Sequence, residues 1–256
     1  MREQARFYEL SRAGERAALV TVVSGEPVSA VGARMLVLPD AQVDGSLGSD
    51  ELDSAALAVA EELIWAERSE LREAGDVGLF VDVSAPAPRI LVFGAVDFAA
   101  ALCRVARATG WRPYVIDPRS RFATPERFPD AEQVIAAWPE EALRTLDGID
   151  RATYIAVLTH DPKLDDAALT LALASPAPYV GAMGSRRAQA DRRARLLASG
   201  VSEEQIDRIA APIGLDLGAR DAEETALSIM AEVVAVRNGR VGGRLSESKG
   251  RIHADP

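Results

Sequence analysis

Thiols and imidazoles are almost missing from this chain. Among 256 residues there is one cysteine, Cys103, and there are two histidines, His160 and His253. No disulfide can form within such a chain, and so few thiols and imidazoles argue against a zinc site of His and Cys ligands. A lone cysteine fits a reducing cytoplasm, and Cys103 reads as a small core residue on an apolar helix. Positive charge is also in deficit. The formal net charge of −10 argues against nucleic acid or an anionic membrane as a general partner. No apolar run is long enough to cross a bilayer, and no basic-then-apolar leader opens the chain. Aromatic residues make up only 5%, while 48% hydrophobic and 27% charged residues describe an ordinary water-soluble globular protein.

What is present divides near Ser84-Ala-Pro-Ala-Pro-Arg89, whose prolines suit a stiff extended linker. Residues 1–85 read as a small α+β module. Ala17–Ser24, Arg34–Leu38 and Val77–Val83 are strands. Apolar residues at Leu52, Ala56, Val59, Leu63 and Ile64 predict a helix over Asp50–Ala74 that Gly75 stops. Residues 89–239 alternate strand and helix, as in a doubly wound parallel sheet. The fold class is therefore α/β, a Rossmann-like domain following a smaller α+β module. Polar, glycine-rich residues 240–256 predict a disordered tail.

The second part opens with its most informative stretch. Arg89–Phe93 is a buried strand, Gly94 turns the chain, Asp97–Thr109 is a helix and Pro113–Asp117 is the next strand. Asp117 lies 23 residues past Gly94, close to where a dinucleotide fold keeps its ribose-reading acid. Val96, however, stands where that fold needs glycine, and its branched side chain fills the path of a pyrophosphate. NAD(P) is thereby disfavoured. A short strand at Val134-Ile135, a helix opened by Pro139, and the strand Thr153–Leu158 follow. Asp161 caps the next helix with Pro162 in its first position, Tyr179-Val180 is the last strand, and Ser202–Gln205 and Asp221–Glu224 are capping boxes.

Ligands of an open parallel sheet sit beyond the carboxyl ends of its strands. Four loops should gather there. The first holds Gly94 and Ala95, the second Asp117 and Arg119, and the third Thr159, His160 and Asp161. His160 either moves a proton or binds an anion, or it only ties its loop. The fourth loop, Gly181-Ala-Met-Gly-Ser-Arg-Arg187, combines Gly181, Met183 and Gly184 with a cap at Ser185 and two guanidinium groups, Arg186 and Arg187. That combination suits a phosphate. The later Arg192, Arg193 and Arg195 read as a solvated helix face. In Pro212–Ala219, Gly214 flanks Asp216, which either holds a ligand hydroxyl or amine or makes an Asx turn.

Tyr179–Arg187, Ala211-Pro-Ile-Gly-Leu-Asp-Leu-Gly-Ala219 and Ala226–Val234 together resemble the carboxyl-terminal domain of the XdhC/CoxI family. Leu158–Asp161 and Gly94-Ala95 fit the same pattern, and Gly32–Met35 with Gly45–Leu47 is similar to its amino-terminal module. The resemblance implies a maturation factor for molybdenum hydroxylases such as xanthine or carbon monoxide dehydrogenase. Such a factor holds the molybdenum cofactor (molybdopterin) transiently, works with a cofactor-sulfurating desulfurase, and serves the hydroxylase apoenzyme. It implies a cytoplasmic cofactor chaperone rather than an enzyme, and leaves room for a homodimer. A protein-binding scaffold and an NAD(P)-dependent oxidoreductase are the competing readings. Three positions depart from the family pattern: Val96-Asp97 replaces Gly-His, Glu51 replaces a cysteine, and Ala210 replaces a histidine.

Overall fold

The computed structural model describes residues 2–25 and 31–247. The chain forms two compact units, divided between Pro86 and Ala87. In the first, α1 (Arg2–Ala13) leads into β1 (Ala17–Ser24), β2 (Arg34–Val37) and β3 (Val43–Ser46). Then come α2 (Asp50–Ala66), β4 (Glu70–Ala74) and β5 (Val77–Ser84). The strands make one antiparallel sheet in the order β3-β2-β1-β5-β4. Val20, Val22, Met35, Leu79 and Val81 pack from it against Ala60, Leu63 and Ile64 of α2.

The helix expected over Asp50–Ala74 is shorter. It ends at Ala66, because Glu67 turns left-handed at φ 55° and donates its N–H back to the Leu63 carbonyl. Buried Arg16 fixes that end, bonding the Ile64 carbonyl and the Glu67 carboxylate, each at 2.8 Å. Glu70–Ala74 then pairs with β5 as an edge strand. The other edge strand, β3, has no apolar alternation to announce it in the sequence. Glu51 lies exposed in the first turn of α2.

The second unit contains β6 (Arg89–Phe93), α3 (Asp97–Ala108), β7 (Arg112–Ile116), β8 (Gln133–Ile135), α4 (Pro139–Thr145) and β9 (Thr153–Val157). It continues with α5 (Pro162–Leu173), β10 (Tyr179–Ala182), α6 (Arg186–Ala198), α7 (Glu203–Asp207), β11 (Ile209–Ala210) and α8 (Ala222–Arg237). All six strands run parallel in the order β11-β10-β9-β6-β7-β8. The chain thus winds outward from β6 in one direction, then returns to β9 on its other side. Alternate residues of the apolar runs feed two cores. Ile90 and Val92 pack with Leu102, Ile229 and Val233 under α3 and α8. Leu91 and Phe93 pack with Leu169 and Leu196 under α5 and α6.

The local signals match their elements. Asp161 accepts from Lys163 N–H with Pro162 following, and Ser202 and Gln205 cap reciprocally. Asp221 caps α8, but Glu224 accepts from Arg220 N–H instead of closing a reciprocal box. Burial pushes the Cys103 thiol up to about 12, so it stays protonated in the core. Residues 240–247 are exposed around one 3₁₀ turn, and the rest of the expected disordered tail lies outside the described residues. Among the described residues no helix is long and apolar enough to cross a membrane.

Candidate functional site

The strand order places the topological switch between β6 and β9, and the carboxyl ends of the strands there are where an open parallel sheet takes its ligands. Gly94 leaves β6 with φ +114°, and a Cβ there would stand 3.0 Å from Thr159 N and 3.1 Å from Thr159 Cβ. Only glycine lets the two loops of the switch touch. Thr159 is buried, and its hydroxyl accepts from Asp161 N–H at 2.8 Å. His160 stands between them in sequence, exposed, and its ring makes no hydrogen bond among the described residues. It does not tie its loop.

Asp117 is fully buried and fully engaged. One carboxylate oxygen accepts from Ala95 N–H at 2.8 Å and from Arg119 Nη2 at 2.6 Å. The other accepts from Arg119 N–H and Nε, both at 2.9 Å. A carboxylate offers about four acceptor positions, so none is left for a ribose. Burial pushes the Asp117 pKa up, but the Arg119 side chain and the two backbone N–H groups pull it further down, below the ordinary value. Asp117 therefore staples the glycine turn to the loop after β7.

That loop also carries residues that spacing alone did not single out. Arg127 bonds the carbonyls of Ala95 and Phe122 at 3.2 and 3.1 Å and pairs with Asp97 at 3.2 Å. Arg119, Arg121 and Arg127 all approach the Phe122 ring, at 5.0, 4.5 and 5.7 Å from its centroid. The only hint in the sequence was a loop rich in Arg, Pro and Phe. At the head of α3, Val96 is the N-cap and supplies no side-chain bond, so the first turn has no side-chain cap and Ala99 N–H turns back to the Val96 carbonyl at 2.9 Å.

The fourth loop divides between packing and display. Gly181 belongs to β10, and a Cβ on it would meet Ile213 at 2.5 Å, so its missing side chain makes room for the loop after β11. Met183 donates its N–H to the Val157 carbonyl at 2.8 Å, tying the loop to β9. Gly184 turns the chain, Ser185 caps α6 by accepting from Ala188 N–H at 3.3 Å, and Arg186 and Arg187 stand exposed beside it. Neither guanidinium has a hydrogen bond or ion pair among the described residues.

The expected solvated face of α6 is corrected at Arg192, which is buried. It pairs with Asp165 of α5 at 2.9 Å, bonds the Met183 carbonyl at 2.9 Å and reaches Gln189. Burial outweighs Arg192 and keeps the Asp165 carboxyl above its ordinary pKa. Arg193 and Arg195 do lie on the surface, paired with Asp207 and Asp166.

After β11 the chain is held by α8. The Glu232 carboxylate accepts from Tyr179 Oη at 2.5 Å and Gly214 N–H at 2.8 Å. A Cβ on Gly214 would meet Ser228 Oγ. Asp216 is exposed and its carboxylate makes neither an Asx turn nor any other hydrogen bond among the described residues. Ala210 sits in β11.

Comparison with known proteins agrees with this architecture. The model of the XdhC Rossmann domain matches residues 90–233, and that of the XdhC and CoxI family matches residues 10–75. The chain is 31% identical to a probable xanthine dehydrogenase subunit of Bacillus subtilis (strain 168) over 62% of its own length and 46% of that protein's. It is 30% identical to the molybdenum cofactor insertion chaperone PaoD of Escherichia coli (strain K12), over 59% of this chain and 41% of the relative. It thus spans less than half the length of these curated relatives. The crystal structure of a xanthine dehydrogenase from Bacillus halodurans shares the fold at a TM-score of 0.63 and 24% identity, covering 93% of this chain and 67% of that one. With a parallel sheet that reverses its winding between β6 and β9 and both family models matched in order, the chain belongs to the XdhC/CoxI family.

Proposed function

We propose that this chain is a maturation factor for molybdenum hydroxylases, which holds the molybdenum cofactor at the carboxyl edge of its parallel sheet and hands it to the apoenzyme. The observation that carries the reading is the free guanidinium pair Arg186 and Arg187 beside the capped start of α6, on the same edge as Gly94, Thr159 and His160. In a chain of net charge −10, unpaired guanidinium groups gathered on one edge favour an anionic ligand. Molybdopterin ends in a phosphate, which Arg186 and Arg187 would bind. The similarity to an insertion chaperone supports the same ligand class.

The cofactor, when bound, supplies the redox centre of the hydroxylase. The residues here bind and orient it. His160, exposed at the switch, would donate a hydrogen bond to the ligand, and Met183 offers an apolar thioether surface beside it. The spent Asp117 and the Val96 cap oppose NAD(P) and an oxidoreductase role. The partners that follow are the apoenzyme and a sulfurating desulfurase, met in the cytoplasm, with a homodimer open to measurement by light scattering. Titration of the purified protein with molybdopterin cofactor tests the reading. Saturable binding in the micromolar range is expected, and absence of binding at those levels overturns it.

A further inference from the structure

Three guanidinium groups share one aromatic ring beyond β7, and they are not equivalent. Arg119 is neutralised by Asp117 at 2.6 Å, and Arg127 by Asp97 at 3.2 Å. Arg121, 4.5 Å from the centre of the Phe122 ring, has no carboxylate within ion-pairing distance among the described residues. Its exposed guanidinium rests on the ring face and leaves its donors free for an anion. The loop itself is rigidly placed, since Arg127 ties it to the Ala95 carbonyl and Asp117 ties it to Ala95 N–H.

This is the place where a dinucleotide fold reads the ribose that carries its 2′ substituent, a carboxylate choosing the diol and an arginine choosing the 2′-phosphate. Here the carboxylate is covered on both oxygens by Arg119. Resting on the reading that ligands bind at this carboxyl edge, we infer that the Arg119–Arg121–Phe122 loop is a phosphate-monoester subsite, with Arg121 as the residue that selects a terminal phosphate over a ribose diol. The ligand class is a phosphate monoester of a ring system.

A matched pair of probes isolates that one group. Adenosine 2′,5′-bisphosphate and 5′-AMP differ only in a 2′-phosphate monoester replacing a hydroxyl. Calorimetric titration of the intact protein should give at least about tenfold tighter binding of the bisphosphate, the worth of one charge-assisted contact. Arg121→Ala should remove that preference while leaving the melting temperature unchanged. Arg119→Ala uncovers Asp117 and should turn the preference toward 5′-AMP; Arg119→Lys, which keeps a cation there, guards against an unfolded variant. Equal affinity for the two probes, no bisphosphate binding at millimolar concentration, or a preference that survives Arg121→Ala would each overturn the subsite. Cofactor binding that fails while the bisphosphate preference holds would instead strike the cofactor reading alone.

Discussion

Asp117→Asn separates a structural staple from a ligand reader. The amide is nearly isosteric but replaces one carboxylate oxygen by a donor. Whichever way it turns, one of two demands fails. Facing Ala95 N–H, the amide nitrogen meets a donor; facing Arg119 N–H, it meets another. A buried donor left unsatisfied costs about 1–3 kcal/mol, and the lost charge weakens the contact with Arg119. The Arg119 side chain is 42% exposed, so its share is screened to about 1 kcal/mol or less. The sum is about 2–4 kcal/mol at pH 7. For a unit of this size each kcal/mol moves Tm by about 2–4 °C, so a loss on the order of 5–15 °C is expected in thermal unfolding followed by circular dichroism. The pH dependence has a definite sign. The folded pKa of Asp117 is depressed, so its contribution is present above the unfolded value of about 3.9 and is lost as pH falls through the folded one. The gap between parent and variant should close in that acid window. A variant as stable as the parent at pH 7 would refute the staple and return Asp117 to the pool of free ligand groups.

Other perturbations separate packing from binding in the same way. Arg192→Met strands a buried carboxylate at Asp165 and should cost about 3–5 kcal/mol at pH 7 in urea unfolding. Because the folded pKa of Asp165 is already raised, that penalty should grow as pH rises through it and shrink toward pH ~4; a pH-independent loss would contradict the assignment. His160→Ala touches an exposed ring without hydrogen bonds, so Tm should stay within about 2 °C while cofactor affinity falls. A large melting loss with unaltered affinity would remove His160 from the site. The double change Arg186→Ala with Arg187→Ala should weaken binding of a phosphate-bearing ligand well over tenfold, at roughly 1.5–3 kcal/mol per charge-assisted bond, without lowering Tm.

The parallel sheet was readable because its buried strands are unbroken apolar runs. Arg89–Phe93 and Thr153–Val157 sit between two helical layers, and nothing polar interrupts them. Edge strands lack that signature. Glu-Leu-Arg-Glu-Ala in β4 has good helix formers, and pairing with β5, not local preference, makes it a strand. The loops at the carboxyl edge were found because glycine, cap and arginine stand together in the chain. Their division of labour was not, because it depends on residues far away in sequence. Arg192 looks like its neighbours on α6 until Asp165, 27 residues earlier, is seen to face it. Gly181 looks like part of an anion loop until Ile213 is seen to fill its space. Asp117 looks like a ribose acid until Arg119, two residues on, is seen to fold back over it.

Whether unpaired arginines on the carboxyl edge of the second unit hold a phosphate-bearing molybdenum cofactor can be decided in one paired titration. The molybdopterin cofactor is titrated into the parent protein and into the Arg186→Ala, Arg187→Ala double variant side by side. Saturable micromolar binding to the parent is expected, with at least tenfold weaker binding to a variant of unchanged melting temperature. Equal affinity for both, or no binding to the parent, would contradict the proposed role of these arginines.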